Sequence, residues 1–208
     1  MWRTSLLKNR QNKTKAPTKT IFCVASGPSL TAKDCETVQK TGCSIIAVNN
    51  SWQLFSDIYA LYAGDLSWWK RYRKEIPSGQ FRKFTANLAA AKSYALEYRR
   101  YCDLKEGFNS GAMAISLAAE LGAEVVILLG YDCSLAHGVH WHGPHADKLR
   151  NPSEISVSTW HQQFKKTQDR HPNLHILNAS RSSEIQCFPR INLEAAIAQL
   201  SSAAVPVQ

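Results

Sequence analysis

Residues 137–145 read HGVHWHGPH, which places His137, His140, His142 and His145, four of the chain's seven histidines, within nine positions broken by glycine and proline. Imidazole titrates near neutrality and, when neutral, is also a metal ligand, so two chemistries compete for this loop. In one, a single histidine takes a proton from a substrate while its neighbours hydrogen-bond substrate or phosphate. His140 and His142 are the candidates for that base, because they flank Trp141, a flat ring able to stack on a base or a sugar. In the other, His137, His140, His142 and His145 supply two or three ligands to a zinc ion. The six cysteines form no CxxC pair and add no sulfur ligands in a zinc pattern, which leaves proton transfer as the preferred reading and an ordinary polar loop as the bland one.

The loop follows EVVILLGYDCS, a continuous apolar run ending in Gly130, Tyr131 and Asp132. Similar runs end elsewhere in small or polar residues. Ile21–Ala25 leads into Ser26-Gly27-Pro28-Ser29, SIIAV into Asn49-Asn50, and DIYALYAGD ends at Asp65. SGPS is too short for a Walker loop and lacks the later glycines of the dinucleotide fingerprint, which disfavours ATP hydrolysis and NAD binding. It remains a tight turn feeding a helix, where backbone N–H groups at Ser26, Gly27 and Ser29 could meet a phosphate. Ser110 and Gly111, opening another helix behind Asn109, offer a second set. An amide at Asn49 could read a base or ribose. Asp132 is a catalytic candidate and Asp65 a nucleotide-binding one, and both, at strand ends, could hold Mg²⁺.

The elements that would carry these residues alternate. Runs apolar on both faces predict strands of a buried parallel sheet at 21–25, 44–50, 57–65, 125–129 and in LHILNAS, with a weaker strand around 81–85. Between them, helices are expected in TAKDCETVQK, at 67–75, in NSGAMAISLAAELG and in INLEAAIAQL, and from Asn151 onward, with Asn151 as N-cap, Pro152 at the first helical position and Glu154 at the third. Strands and helices in alternation imply one doubly wound, mostly parallel α/β domain over residues 20–208. Ligands of such a sheet lie outside the carboxyl ends of its strands, where all of the candidates above stand.

At 208 residues and 44% hydrophobic content the chain can bury a sizeable core as one domain. It has no run long enough to span a bilayer and no secretory h-region in MWRTSLLKNRQNK, so a cytoplasmic protein with reduced cysteines is expected. The net charge of +9 is uneven. Residues 1–19 carry six basic residues and no acid, a composition suited to a disordered tail, and residues 70–105 carry ten basic and three acidic residues interleaved with aromatics. That second segment, expected to be helical, suits contact with nucleic acid through Arg71, Arg73, Arg99 and Arg100. The rest of the chain is mildly acidic, and whether 70–105 contacts nucleic acid or is a solvated basic face stays open.

The series SGPSL, AVNNSW, YAGD, NSGAMAISLAAELG, VVILLGYD and ILNASRSSEIQCFPRI resembles the fold of the small bacterial sialyltransferases that use CMP-activated sugar. It is also similar to hydroxymethylpterin diphosphokinase-like proteins and to their phage-encoded relatives, whose HWHG loop after GYD matches this one best. The resemblance covers residues 20–195, least well at 70–105. It implies a Rossmann-like, glycosyltransferase-like scaffold needing no cofactor beyond a nucleotide-activated donor such as a CMP-sugar. Ser26, Gly27, Ser29, Asn49, Ser110 and Gly111 would line the nucleotide, and a histidine would act as base on the acceptor. The sialyltransferases also use tyrosines beyond this strand; here Tyr131 lies within GYD and the following loop has none. The diphosphokinase likeness implies instead Mg²⁺-dependent pyrophosphate transfer. A phage protein that binds nucleic acid without catalysis is the rival from a different class, and an enzyme modifying phage DNA would combine the two.

Overall fold

The computed structural model describes residues 16–77, 79, 81–103, 106–107, 109–145 and 149–203. Of the expected tail, residues 1–19, the first fifteen lie outside them, whereas 16–19 lead into the sheet, with the Thr18 N–H donating to Ser44 Oγ at 3.0 Å and the Lys19 carbonyl accepting from the Glu124 N–H at 2.8 Å. Seven parallel strands form a single sheet in the order β5-β4-β3-β2-β1-β6-β7. They are β1 (Thr20–Val24), β2 (Ser44–Val48), β3 (Ala60–Tyr62), β4 (Arg82–Thr85), β5 (Glu97–Tyr98), β6 (Val125–Leu129) and β7 (His175–Asn178). Among the described residues six helices connect and cover them: α1 (Ala32–Lys40), α2 (Leu66–Tyr72), α3 (Leu88–Tyr94), α4 (Ser110–Glu120), α5 (Glu154–Arg170) and α6 (Leu193–Ala203). The result is the doubly wound α/β architecture of Rossmann-like folds.

Side chains alternate across the sheet with the period of two that a strand imposes. Ile21, Cys23, Val126 and Leu128 face α4 and α5, whereas Phe22, Val24, Ile127 and Leu129 face α1, α2, α3 and α6. Because both faces are covered, the central strands can be apolar throughout, which is why they read as unbroken runs. β1 is flanked by β2 on one side and β6 on the other, and this is the point where the strand order reverses.

Three local features differ from the sequence expectation. Asn49 and Asn50 do not extend β2 but open a 3-10 turn, Asn49–Leu54. α5 begins two residues late: Ser153 is its N-cap in a capping box with Ser156, while the Asn151 side chain accepts from the His145 N–H at 2.8 Å. The basic segment, expected to be helical apart from the strand at 81–85, adds a second strand, β5, besides α3. No helix among the described residues is long and apolar enough to cross a membrane, and all six cysteines are unpaired.

Two glycines with left-handed backbones separate conformational strain from steric demand. Gly122, φ +86°, ends α4 with nothing near a would-be Cβ, whereas at Gly130, φ +66°, that atom would stand 2.4 Å from the Ala25 carbonyl oxygen. Gly122→Ala should therefore cost about 1 kcal/mol of backbone strain, and Gly130→Ala roughly 3 kcal/mol because overpacking adds to it. Urea unfolding of both variants measures the difference; equal losses would contradict the close approach at Gly130.

Candidate functional site

The carboxyl ends of β1, β2, β3 and β6 open on a cleft of about 670 Å³. Its base is a clasp between the turns after β1 and β6. The Gly27 N–H donates to the Gly130 carbonyl at 2.8 Å. Ser29 donates twice to Asp132, from its N–H to Oδ2 and from its hydroxyl to Oδ1, both at 2.7 Å. A Cβ on Gly27 would lie 2.3 Å from Asp132 Oδ1, so no larger residue lets the turns meet. Asp132 is only 3% exposed, and its burial raises the carboxyl above the usual carboxylate range against the pull of the Ser29 bonds. The turn after β7 completes the lacing: Ser180 accepts from the Tyr131 N–H at 2.8 Å and Ser183 donates to the Tyr131 carbonyl at 2.6 Å.

This clasp changes what the SGPS turn offers. The N–H groups of Gly27, Ser29 and Leu30 are spent on Gly130, Asp132 and Gly27 respectively, and Pro28 has none. At α4 the Asn109 side chain takes the N–H groups of Gly111 and Ala112, and Ser110 Oγ accepts from the Gly64 N–H at 3.1 Å. The protein's own acceptors thus close most of the expected N–H cradle. Ser26, Gly27, Ser110 and Gly111 line the cleft, while Ser29 turns to Asp132. Gly111 is required there, since a Cβ would stand 2.9 Å from the Tyr131 ring, whose hydroxyl donates to the Gly111 carbonyl.

Asp65 and Asn49 reach the cleft with no side-chain hydrogen bond to the described residues. Asp65 occupies the N-cap position of α2 yet makes no capping bond. It is exposed on the open cleft, yet the surrounding wall removes enough solvent to raise its carboxyl. Asn49 lines the cleft with φ +50°, a left-handed conformation that asparagine tolerates better than most residues. Its neighbour Asn50 is committed, accepting from Trp68 Nε1 at 2.7 Å.

The histidine loop covers one side. The Trp141 N–H donates to the Ser26 carbonyl at 3.0 Å, and His140 Nδ1 lies 3.0 Å from Ser26 Oγ. His140, His142 and His145 pack as a cluster with ring centroids 4.5–5.1 Å apart, while His137 is exposed and outside it. His140 and His145 line the cleft; His142 does not. His140 Nε2, His142 Nε2 and His145 Nδ1 are buried without a hydrogen-bond partner among the described residues. Burial, then the neighbouring His145 and His142, pull the His140 pKa down to about 4, so the ring is neutral at physiological pH. Among the described residues no group of three or more His, Cys, Asp or Glu side chains stands so as to hold a metal ion.

Sequence reasoning missed Arg150, the cation on the cleft wall among the described residues, and Trp160, which lines the wall beside Phe164. Spacing four apart on one helix did signal that Trp160 and Phe164 share a face, but nothing in the type of Arg150 marked it out from other surface cations. The four arginines expected to contact nucleic acid lie away from the cleft. Arg71 pairs with Glu75, Arg99 with Glu120 at 2.6 Å, Arg73 stacks over Tyr94, and Arg100 donates to the carbonyls of Cys102, Asp103 and Glu106.

Comparison with solved structures returns a fold likeness. The MAf glycosyltransferase from Magnetospirillum magneticum AMB-1 superposes with a TM-score of 0.62 at 13% identity over 90% of this chain and 37% of its own length. This chain therefore spans little more than a third of that enzyme. A UDP-glucose 4-epimerase (14% identity, 77% of this chain, 50% of its own) and the Bordetella bronchiseptica enzyme WbmH in complex with NAD⁺ (13%, 89% and 64%) give TM-scores of only 0.33 and 0.31, too loose to bear on the fold. No protein-family model and no curated protein matches the sequence.

The depressed His140 pKa makes stability fall in acid. A histidine in the unfolded chain titrates near ~6.5, whereas His140 in the fold accepts a proton only near 4. Between these values the unfolded chain binds the proton and the fold does not, so stability is full above that range and is lost as pH falls through it. Denaturant unfolding from pH 7 to pH 4 should show this loss, and His140→Gln should flatten it; an unchanged slope in the variant would refute the assignment.

Proposed function

We propose that the chain is a glycosyltransferase-like enzyme that takes sugar from a nucleotide-activated donor of the CMP-sugar kind and passes it to an acceptor hydroxyl, with His140 as general base. One observation carries this reading: a neutral imidazole tethered through Nδ1 to the first-strand turn, with Nε2 uncommitted, at the wall of the cleft where the strand order reverses. The fold likeness to a glycosyltransferase supports the class of scaffold. Trp160 supplies a stacking surface, Arg150 a charge for phosphate, and Asn49 and Asp65 groups for ribose or sugar hydroxyls. In the reaction the acceptor O–H gives its proton to His140 Nε2 while its oxygen bonds to the anomeric carbon. The bond from that carbon to the phosphate oxygen breaks, and its electron pair leaves on the nucleotide. Since Nε2 is sealed from water, the acceptor gains it only when the packing over that edge opens.

Mg²⁺-dependent pyrophosphate transfer is less well supported, because Ser29 engages both oxygens of Asp132 and leaves Asp65 alone of the expected carboxylate pair. The engaged arginines of the basic segment likewise favour a glycan over DNA as acceptor. The setting that the histidine loop suggests, a phage- or prophage-encoded enzyme, belongs to the same proposal.

Thermal-shift titration with CMP, UDP, GDP and ATP tests the donor site, because a ligand of the folded state raises the melting temperature by mass action. CMP should give the largest shift, and Arg150→Ala should weaken CMP about tenfold by removing a charge-assisted hydrogen bond. No shift with any nucleotide at millimolar concentration would overturn the reading. With a CMP-sugar donor, His140→Gln should lower turnover about 10²- to 10⁴-fold with CMP affinity retained. His142→Gln should be milder, and equal losses in both variants would remove His140 from the role of base.

A further inference from the structure

We propose that Ser26 is a positioning residue whose hydroxyl links donor binding to the tautomer of His140, so that a bound phosphate arms the base. The inference rests on the functional reading above. Ser26 holds the histidine loop twice: its carbonyl accepts from the Trp141 N–H, and its Oγ lies 3.0 Å from His140 Nδ1. The turn itself is anchored one residue later by the Gly27 N–H bond to Gly130.

A hydroxyl has one hydrogen to give. If Ser26 donates it to Nδ1, the neutral ring carries its proton on Nε2 and cannot accept one there. If Nδ1–H donates to Ser26 Oγ, the Nε2 lone pair is free, and the hydroxyl hydrogen must go elsewhere. His140 is the sole partner of Ser26 Oγ among the described residues, and Ser26 lies on the cleft wall with 8% of its surface exposed. The competing acceptor must therefore come from the cleft, and water there accepts less strongly than the imidazole nitrogen. A phosphate oxygen is anionic and accepts more strongly than a neutral imidazole nitrogen. Donor binding takes the Ser26 hydrogen, Nδ1 becomes the protonated nitrogen and Nε2 is left as the base. The ring's single proton moves from Nε2 to Nδ1, with no net uptake, when the packing over the Nε2 edge opens to water. Without donor, His140 is held in the form that cannot deprotonate an acceptor.

Long-range ¹H–¹⁵N correlation on protein with ¹⁵N-labelled histidine, near pH 7, reads the tautomer directly, with His140 assigned by its loss in His140→Gln. On titration with CMP, His140 should change from the Nε2–H to the Nδ1–H pattern. In Ser26→Ala, CMP should bind about tenfold more weakly and leave the His140 pattern unchanged at saturation, whereas Ser26→Thr should restore the response. The same His140 tautomer before and after CMP saturation, or a change that persists in Ser26→Ala, would overturn the proposal while leaving the nucleotide site intact. If CMP perturbs no resonance at all, the nucleotide reading fails and this inference fails with it.

Discussion

The paired hydrogen bonds from Ser29 to the Asp132 carboxylate are the constraint on which the rest of the site depends. Burying a carboxylate is costly unless it is well paired, and here a backbone N–H and a hydroxyl both point at it. Gly27 and Gly130 lack the side chains that would hold the turns apart, and the Gly27 N–H closes the remaining gap. The turns after β1 and β6 are thereby fixed against each other where the strand order reverses, and the turn after β7 braces Tyr131 from behind. The histidine loop and the start of α4 are both held to this joint. Ser26 precedes Gly27 and holds the histidine loop, and Tyr131 precedes Asp132 and packs on the start of α4.

A joint of this kind also explains why the cleft is built from side chains. Loops that bind phosphate by main-chain donors leave several N–H groups unsatisfied until the ligand arrives. Here those donors hold the fold together, so under the proposed function recognition would pass to the side chains of Ser26, Asn49, Asp65, Arg150 and the aromatic wall, which line the cleft. Two of the three non-glycine residues with left-handed backbones, Asn49 and Cys133, line the same cleft, in keeping with strain collecting where geometry is prescribed by use. The basic segment serves a different end: its arginines neutralise Glu75, Glu97 and Glu120, cap carbonyls or lie over rings, and help hold the outer strands to their helices.

Much of the fold was legible because the central strands are buried on both faces and read as uninterrupted apolar runs. SIIAV and VVILL left no other interpretation, and Gly122 marked the end of α4. β5 was not legible, since two residues carry no period. The start of α5 slipped by two residues because Asn151 and Ser153 are both competent caps, and the tie of Asn151 to His145 decides between them. In the site, the histidine loop and the strand-end residues stood out by type and place. The spent N–H groups of SGPS did not, because the acceptors that take them lie about a hundred residues away in GYD. Whether the basic segment meets a polyanion or is a solvated face stayed open in the sequence, because the ion pairs that absorb part of its charge form between segments that only the fold brings together.

The central claim is that a nucleotide occupies the cleft above this joint. A crystal structure with CMP tests it most directly. The account predicts the phosphate within hydrogen-bond reach of the Ser26 hydroxyl and Arg150, with the base against the aromatic wall formed by Trp160. CMP bound instead on the face carrying Arg71 and Arg99, or a cleft without nucleotide density at saturating concentration, would contradict it.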